Sequence, residues 1–287
     1  MENNELENIN QGKTPLNLNS PENRTSNEPK IETKIPKSSD FNQDQYYQNM
    51  SQETDPDLVV GYDTVPLPSE GMFYANGLKK VDVEYLTSED EDILTTPALI
   101  EDGRVIDVIL ARKIKNKNVV VSELLSGDKN AIVLFLRMSS YGKEYNVQVI
   151  DPRNGKPFET IVDLSKLEFK KIEKKPNSEG LFSIELPMRK KIVMFKLLND
   201  KQEKEIFDKS EAYKEAYGKD YSNFNTQKLI AHIVSINGKT DRSYIDRFVR
   251  AMPALDSYTL RKEILDVTPD IDLTYEFKTK DGYKFKS

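Results

Sequence analysis

Beyond residue 86 the spacing of apolar residues changes period three times, which excludes any fold built from a single kind of element. A helix that buries one face repeats its apolar side chains every three to four residues, and a half-buried strand repeats them every second residue. Helical spacing runs from about residue 87 to 141, alternation from 143 to 196, helical spacing again from 200 to 265, and alternation returns at the end. The pattern predicts an α+β fold with a mainly helical body. Its N-terminal helical part covers 58–142, a small antiparallel β-subdomain is inserted at 143–199, and a C-terminal helical part at 200–287 ends in a β-hairpin.

Residues 1–57 follow no period. They hold 11 Asp/Glu against 5 Lys/Arg, ten Asn and five Pro, with Phe41, Tyr46 and Tyr47 as their aromatics. Such a segment buries too little apolar surface to offset its chain entropy, so a disordered acidic and polar tail is expected. Its acidic excess equals the net charge of −6, leaving 37 acidic and 37 basic residues in the body. A neutral body offers no broad attraction for nucleic acid or anionic lipid. No stretch approaches the roughly 18 apolar residues of a membrane span. The chain has no cysteine, which excludes disulfides and thiolate metal sites. Its polar start, Met1-Glu2-Asn3-Asn4-Glu5, lacks the basic and apolar regions of a secretory signal, so a soluble cytoplasmic protein is expected.

Within the body, Val65-Pro66-Leu67-Pro68-Ser69-Glu70-Gly71-Met72-Phe73-Tyr74 reads as an extended, turning path set by its prolines and glycine. Val81, Val83 and Tyr85 alternate with Asp82 and Glu84 as in a strand. Thr87-Ser88 followed by Glu89-Asp90-Glu91-Asp92 suits a solvated helix start whose acids compensate the dipole. After Pro97, the spacing of Leu99, Ile100, Val105, Ile106, Ile109 and Leu110 predicts one helix up to Arg112-Lys113, and another runs from Ser126 to Tyr141-Gly142. Tyr145, Val147 and Val149 pair with Phe158–Val162 as a hairpin around Asp151-Pro152-Arg153-Asn154-Gly155. With Phe169–Ile172, Leu181–Leu186 and Ile192–Phe195 they are expected to make one sheet. Asp200–Tyr217 predicts a surface helix with a thin stripe through Ile206, Phe207, Tyr213 and Tyr217. Leu229, Ile230, Ile233 and Val234 predict a buried helix closed by Asn237-Gly238. Two further helices flank Pro253, and a last hairpin turns at Lys280-Asp281-Gly282.

Candidate chemistry is sparse. The single histidine, His232, sits among Leu229, Ile230, Ile233 and Val234, where a structural role outweighs a catalytic one. Consecutive acids at 89–92 point in different directions and lack the spacing of a cation loop. No phosphate-cradling glycine motif occurs. Met188-Arg189-Lys190-Lys191 and Lys170-Lys171 read as sheet-edge protection before phosphate contacts. Residues 240–265 would place Arg261 and Lys262 on a second helix, but Glu263 and Asp266 counter them, unlike a DNA-reading helix. A hydrolase acting on peptidoglycan would need a carboxylate pair at hydrolase separation, and none is identifiable. No enzymatic activity, metal, cofactor, nucleic acid or membrane is therefore expected.

The segments Val65–Tyr74 and Val83-Glu84-Tyr85-Leu86-Thr87-Ser88-Glu89-Asp90-Glu91-Asp92-Ile93-Leu94 resemble the opening of the baseplate hub assembly family of T-even-like, contractile-tailed bacteriophages. Leu124-Leu125-Ser126-Gly127-Asp128-Lys129-Asn130-Ala131-Ile132, Tyr141-Gly142-Lys143-Glu144-Tyr145 and Met252-Pro253-Ala254-Leu255-Asp256-Ser257 with Leu260-Arg261-Lys262 follow in family order, over about residues 62–277. The resemblance implies a non-enzymatic tail protein working through protein–protein contacts. It would act as an assembly factor or chaperone for hub or tape-measure components, alone or as a homo- or hetero-oligomer. The alternative is a permanent hub subunit. The implied location is the host cytoplasm during assembly, or the virion baseplate if the chain stays there. Relatives are implied to carry Cys-x-x-Cys pairs, as in zinc ribbons, where this chain reads Asp151–Gly155 and Lys278-Thr279-Lys280-Asp281-Gly282. Both turns are expected to persist as metal-free, zinc-ribbon-like hairpins. Met72, Phe73 and Tyr74 offer a compact apolar and aromatic anchor, the candidate partner-binding residues, with core filling as the competing role.

Overall fold

The structure, a computed structural model, describes residues 59–218 and 222–287; the disordered tail expected over 1–57 lies outside them. Among the described residues there are eight α-helices and eleven strands, an α+β architecture. Strand β1 (Tyr62–Pro66) pairs antiparallel with β2 (Lys80–Glu84), with Val65 opposite Val81. Between them the chain turns through Glu70 and Gly71, both at positive φ (49° and 77°). A Cβ on Gly71 would lie 2.6 Å from the Gly77 carbonyl oxygen, so this turn requires glycine.

The single helix expected after Pro97 is two, α2 (Pro97–Glu101) and α3 (Val105–Lys113), preceded by α1 (Ser88–Leu94). Gly103 adopts φ +64°, and the Gly103 and Arg104 N–H groups donate to Ile100 and Leu99 carbonyls, each at 3.0 Å. That closure satisfies the last carbonyls of α2 and stops the helix. Helix α4 (Ser126–Tyr141) ends at Gly142 as expected. β1, β2, α3 and α4 enclose a first hydrophobic core that includes Val81, Val83, Leu110 and Ile132.

The one sheet expected over 143–196 divides instead into three sets of pairings. β3 (Glu144–Ile150) and β4 (Pro157–Asp163) form their own hairpin, in unbroken register from Glu144 opposite Asp163 to Ile150 opposite Pro157. β5 (Glu168–Phe169) pairs with β9 (Ile271–Asp272), about a hundred residues later. β6 (Phe182–Glu185) and β7 (Ile192–Phe195) join β8 (Ile233–Ile236) in a three-stranded antiparallel sheet, ordered β6-β7-β8. Alternation marks a strand's two faces and says nothing of its partner.

Ile233 and Val234 are likewise strand residues, contrary to the helix expected there. Helix α6 (Phe224–His232) passes directly into β8, a run rich in β-branched side chains that suit a pleated surface. Asn237 and Gly238, both at positive φ, then turn the chain. Asn237 locks the edge by donating its N–H to Ile192 O and accepting the Ile192 N–H on Oδ1, at 2.8 and 2.7 Å. This sheet packs with α6, α7 (Arg242–Arg250) and α8 (Ala254–Val267) around a second core that includes Phe182, Phe195, Ile245 and Leu260. Helix α5 (Asp200–Tyr217) lies on the surface, burying Ile206 and leaving Phe207 exposed. The terminal hairpin is β10 (Glu276–Lys278) with β11 (Lys284–Lys286).

Candidate functional site

The turning loop after β1 lies between the two cores. Met72, Phe73 and Tyr74 are all partly buried. Phe73 packs on the second core, its ring centroid 6.0 Å from that of Phe182, and Tyr74 touches both cores. The Tyr74 hydroxyl donates to Asp128 Oδ2 at 2.5 Å and accepts the Leu125 N–H at 2.9 Å. Asp128 is fully buried at the start of α4, and its Oδ1 accepts the Ser69 N–H at 2.9 Å. Burial and then the neighbouring Asp128 charge push the Tyr74 pKa far above the phenol range, so Tyr74 stays a donor. Burial also raises the Asp128 carboxyl, outweighing the hydrogen bonds from Tyr74 and Ser69. Gly127 allows the close packing here: a Cβ on it would lie 2.0 Å from the Pro269 carbonyl oxygen.

The acidic run at 89–92 departs from the solvated start expected for it, because Asp90 is completely buried. Thr87 and Asp90 form a capping box, with Asp90 Oδ2 accepting the Thr87 N–H and Oγ1 at 2.9 and 2.8 Å. The same carboxylate pairs with Arg112 Nε at 3.1 Å and the buried Lys113 Nζ at 2.5 Å, tying α1 to α3. Burial opposes ionisation of Asp90, but the Lys113 and Thr87 hydrogen bonds prevail and hold its pKa below the usual carboxylate range.

A second ionic cluster joins α3, α4 and α5. Lys129 Nζ lies 2.5 Å from Asp107 and 2.9 Å from Asp200, and Lys204 bridges the same two carboxylates. Despite its burial, Asp107 is held below its ordinary pKa by these lysines. A third cluster brings together the Asp151–Gly155 and Lys278–Gly282 turns. Arg153 donates to Asp151 in its own turn and to Asp281 in the other, each at 2.8 Å, and its guanidinium covers the Tyr283 ring at 4.3 Å. Hydrogen bonds from Arg153 depress both carboxyls, and Thr279 adds to the effect at Asp281.

His232 is buried, with Nδ1 2.7 Å from Lys196 O and Nε2 meeting no partner among the described residues. Burial pushes its pKa down to about 4, so it is neutral near pH 7. Among the described residues, no group of three or more His, Cys, Asp and Glu is placed to hold a metal ion. No described helix is long and apolar enough to cross a membrane. Among the described residues, Asp107 with Asp200, Asp151 with Asp281 and Glu89 with Asp90 are carboxylate pairs that share a cation.

A protein-family model described as T4 bacteriophage base plate protein matches residues 59–285, nearly all of the described body. The chain belongs to that family. No curated protein and no solved structure matches it. The segments that carry the family likeness do structural work in this base plate protein. Tyr74 from the first segment meets Leu125 and Asp128 from the third, and Thr87 and Asp90 from the second cap α1. Asp256 from the Met252–Ser257 segment is fully buried and accepts the Met188 and Arg189 N–H groups at 2.7 and 3.1 Å, fixing the turn between β6 and β7. Reading the sequence missed Ser69, Asp128 and Asp256 as keystones. A signal was available at Asp256 alone, an Asp following the apolar Met252-Pro253-Ala254-Leu255, while Asp128 lies among Ser126, Gly127, Lys129 and Asn130, where nothing local marks burial.

Proposed function

We propose that this base plate protein is a non-enzymatic assembly factor of the tail's central hub, acting through protein–protein contacts on hub or tape-measure components. The family match over residues 59–285 carries the proposal, since base plate proteins act within the tail and contact other tail proteins. The geometry supports the non-enzymatic part. The family-like segments are used in capping helices and joining two cores, and the paired carboxylates are neutralised by lysine or arginine. An acid–base pair tuned for hydrolysis would instead keep its two carboxyls free to exchange protons with substrate. The Asp151 and Asp281 turns are metal-free, zinc-ribbon-like knuckles in which an Arg153 bridge performs the stapling.

A permanent hub subunit is the second reading, favoured by the family's description as a base plate protein. Quantitative mass spectrometry of purified particles and of infected-cell lysate separates the two. An assembly factor is found in lysate complexes and is absent from particles. Fixed copies per particle, at a number matching the tail's symmetry, overturn the assembly-factor reading in favour of the subunit.

A further inference from the structure

The turn between β6 and β7 and one side of α7 enclose an open groove of about 520 Å³, lined by Arg189, Lys191, Tyr244, Arg247, Phe248 and Ala251. Three of the six lining residues are cationic and none is acidic. Lys239 adds a fourth cation, its Nζ 5.0 Å above the Tyr244 ring centre. Glu185 at the end of β6 is exposed but does not line the groove, and the carboxylates around α7 are already committed. Asp241 caps α7 by accepting the Tyr244 N–H at 2.7 Å, Asp246 pairs with Arg250 at 2.8 Å, and Asp256 is buried beneath the turn. Lys191 and Arg247 are exposed and have no ion-pair partner among the described residues.

The groove is built, with its central cation held in place. Asp256 fixes the Arg189 backbone N–H, the Ala251 carbonyl accepts from the Arg189 guanidinium, and that guanidinium lies 4.8 Å above the Phe248 ring centre. A guanidinium locked in this way loses little rotamer freedom when it takes up a carboxylate. We propose that this groove is a docking site for an extended acidic segment of another tail protein, whose carboxylates are taken by Arg189, Lys191 and Arg247. The proposal rests on the reading that the chain works by protein–protein contact, and it names the chemistry of one partner. The alternative anionic polymer, a single-stranded nucleic acid, would stack its bases on aromatic faces. Here Arg189 lies over the Phe248 ring and Lys239 over the Tyr244 ring, which puts hydrogen-bonding cations where bases would stack.

The test uses the full chain, with fluorescence anisotropy of a labelled ten-residue peptide of Asp and Glu carrying one central Leu. The double variant K191E/R247E is compared with K201E/K209E, which makes the same charge change on the exposed face of α5. K191Q/R247Q repeats the first variant without reversing charge, and circular dichroism checks that every variant is folded. The expected result is binding that weakens with added salt, roughly tenfold weaker in K191E/R247E, weaker in K191Q/R247Q and unchanged in K201E/K209E. The proposal is overturned by absence of binding to the native chain, by equal losses in both charge-reversed variants, or by peptide-insensitive binding of oligo-dT that the same groove variants abolish. Self-association lost in K191E/R247E, seen by light scattering, would assign the groove to a second copy and also overturn it. None of these outcomes alters where the protein is found in particles and lysate, so failure here is distinct from failure of the assembly role.

Discussion

Replacing Tyr74 by Phe removes one oxygen and leaves the ring in place, so the burial shared with both cores is retained. What is lost is the hydrogen bond to the buried Asp128 carboxylate and the acceptor of the Leu125 N–H. A hydrogen bond to a charged group contributes about 1.5–3 kcal/mol, and a buried donor left unpaired costs about 1–3 kcal/mol. Partial relaxation brings the expected destabilisation to about 3 kcal/mol. For a body of this size each kcal/mol moves the midpoint by roughly 2–4 °C, so calorimetry should show a fall of about 6–12 °C. Urea unfolding at constant m-value gives the free energy directly. Because Tyr74 and Asp128 share one hydrogen bond, the pair Y74F and D128A should be non-additive by about 1 kcal/mol or more in a double-mutant cycle. A Y74F protein within about 0.5 kcal/mol of the native one would refute the idea that this hydroxyl joins the two cores.

Asp90→Ala strands the buried Lys113 and takes one of two carboxylates from Arg112, which keeps Glu89, and should cost about 3–5 kcal/mol by chemical denaturation; a loss below about 1 kcal/mol would mean that Lys113 is solvated. His232 has a folded pKa of about 4 against 6.5 for the free side chain, so as pH falls through this window the unfolded state takes up the proton first. Its contribution is therefore full above pH 6.5 and declines towards pH 4, by at most about 3 kcal/mol. His232→Gln should flatten the pH dependence of the urea midpoint over that range, and an unchanged slope would contradict the assignment. At the knuckles, EDTA should leave the thermal midpoint unmoved, whereas Arg153→Ala should speed hydrogen exchange of the Thr279 and Gly282 amides, which close the Asp281 turn. A chelator-induced fall in the midpoint would show that the turns hold metal.

Local rules made much of this architecture legible. The β3–β4 hairpin followed from strict alternation around a turn, and α4 from its apolar spacing and the glycine that ends it. Failures came where a pattern was continuous or a partner was distant. From Leu229 to Ile236 apolar residues are too dense for either period to stand out, so the change from α6 to β8 was hidden. Strand β5 has two residues and a partner near the other end of the chain, which no local pattern encodes. At Asp90 the capping signal was read correctly while its burial was not, because burial depends on Arg112 and Lys113 returning from α3. Met72, Phe73 and Tyr74 were visible as a cluster of large side chains. That the Tyr74 hydroxyl would meet Asp128 required the folded loop.

The central claim, an assembly role at the baseplate hub, is tested most directly by removing the protein from an infection and imaging the resulting particles by electron microscopy. The account predicts tails that lack a completed hub, or baseplates stalled before tube growth, with restoration when the native chain is supplied in trans. Normal baseplates and contractile tails in its absence would contradict it.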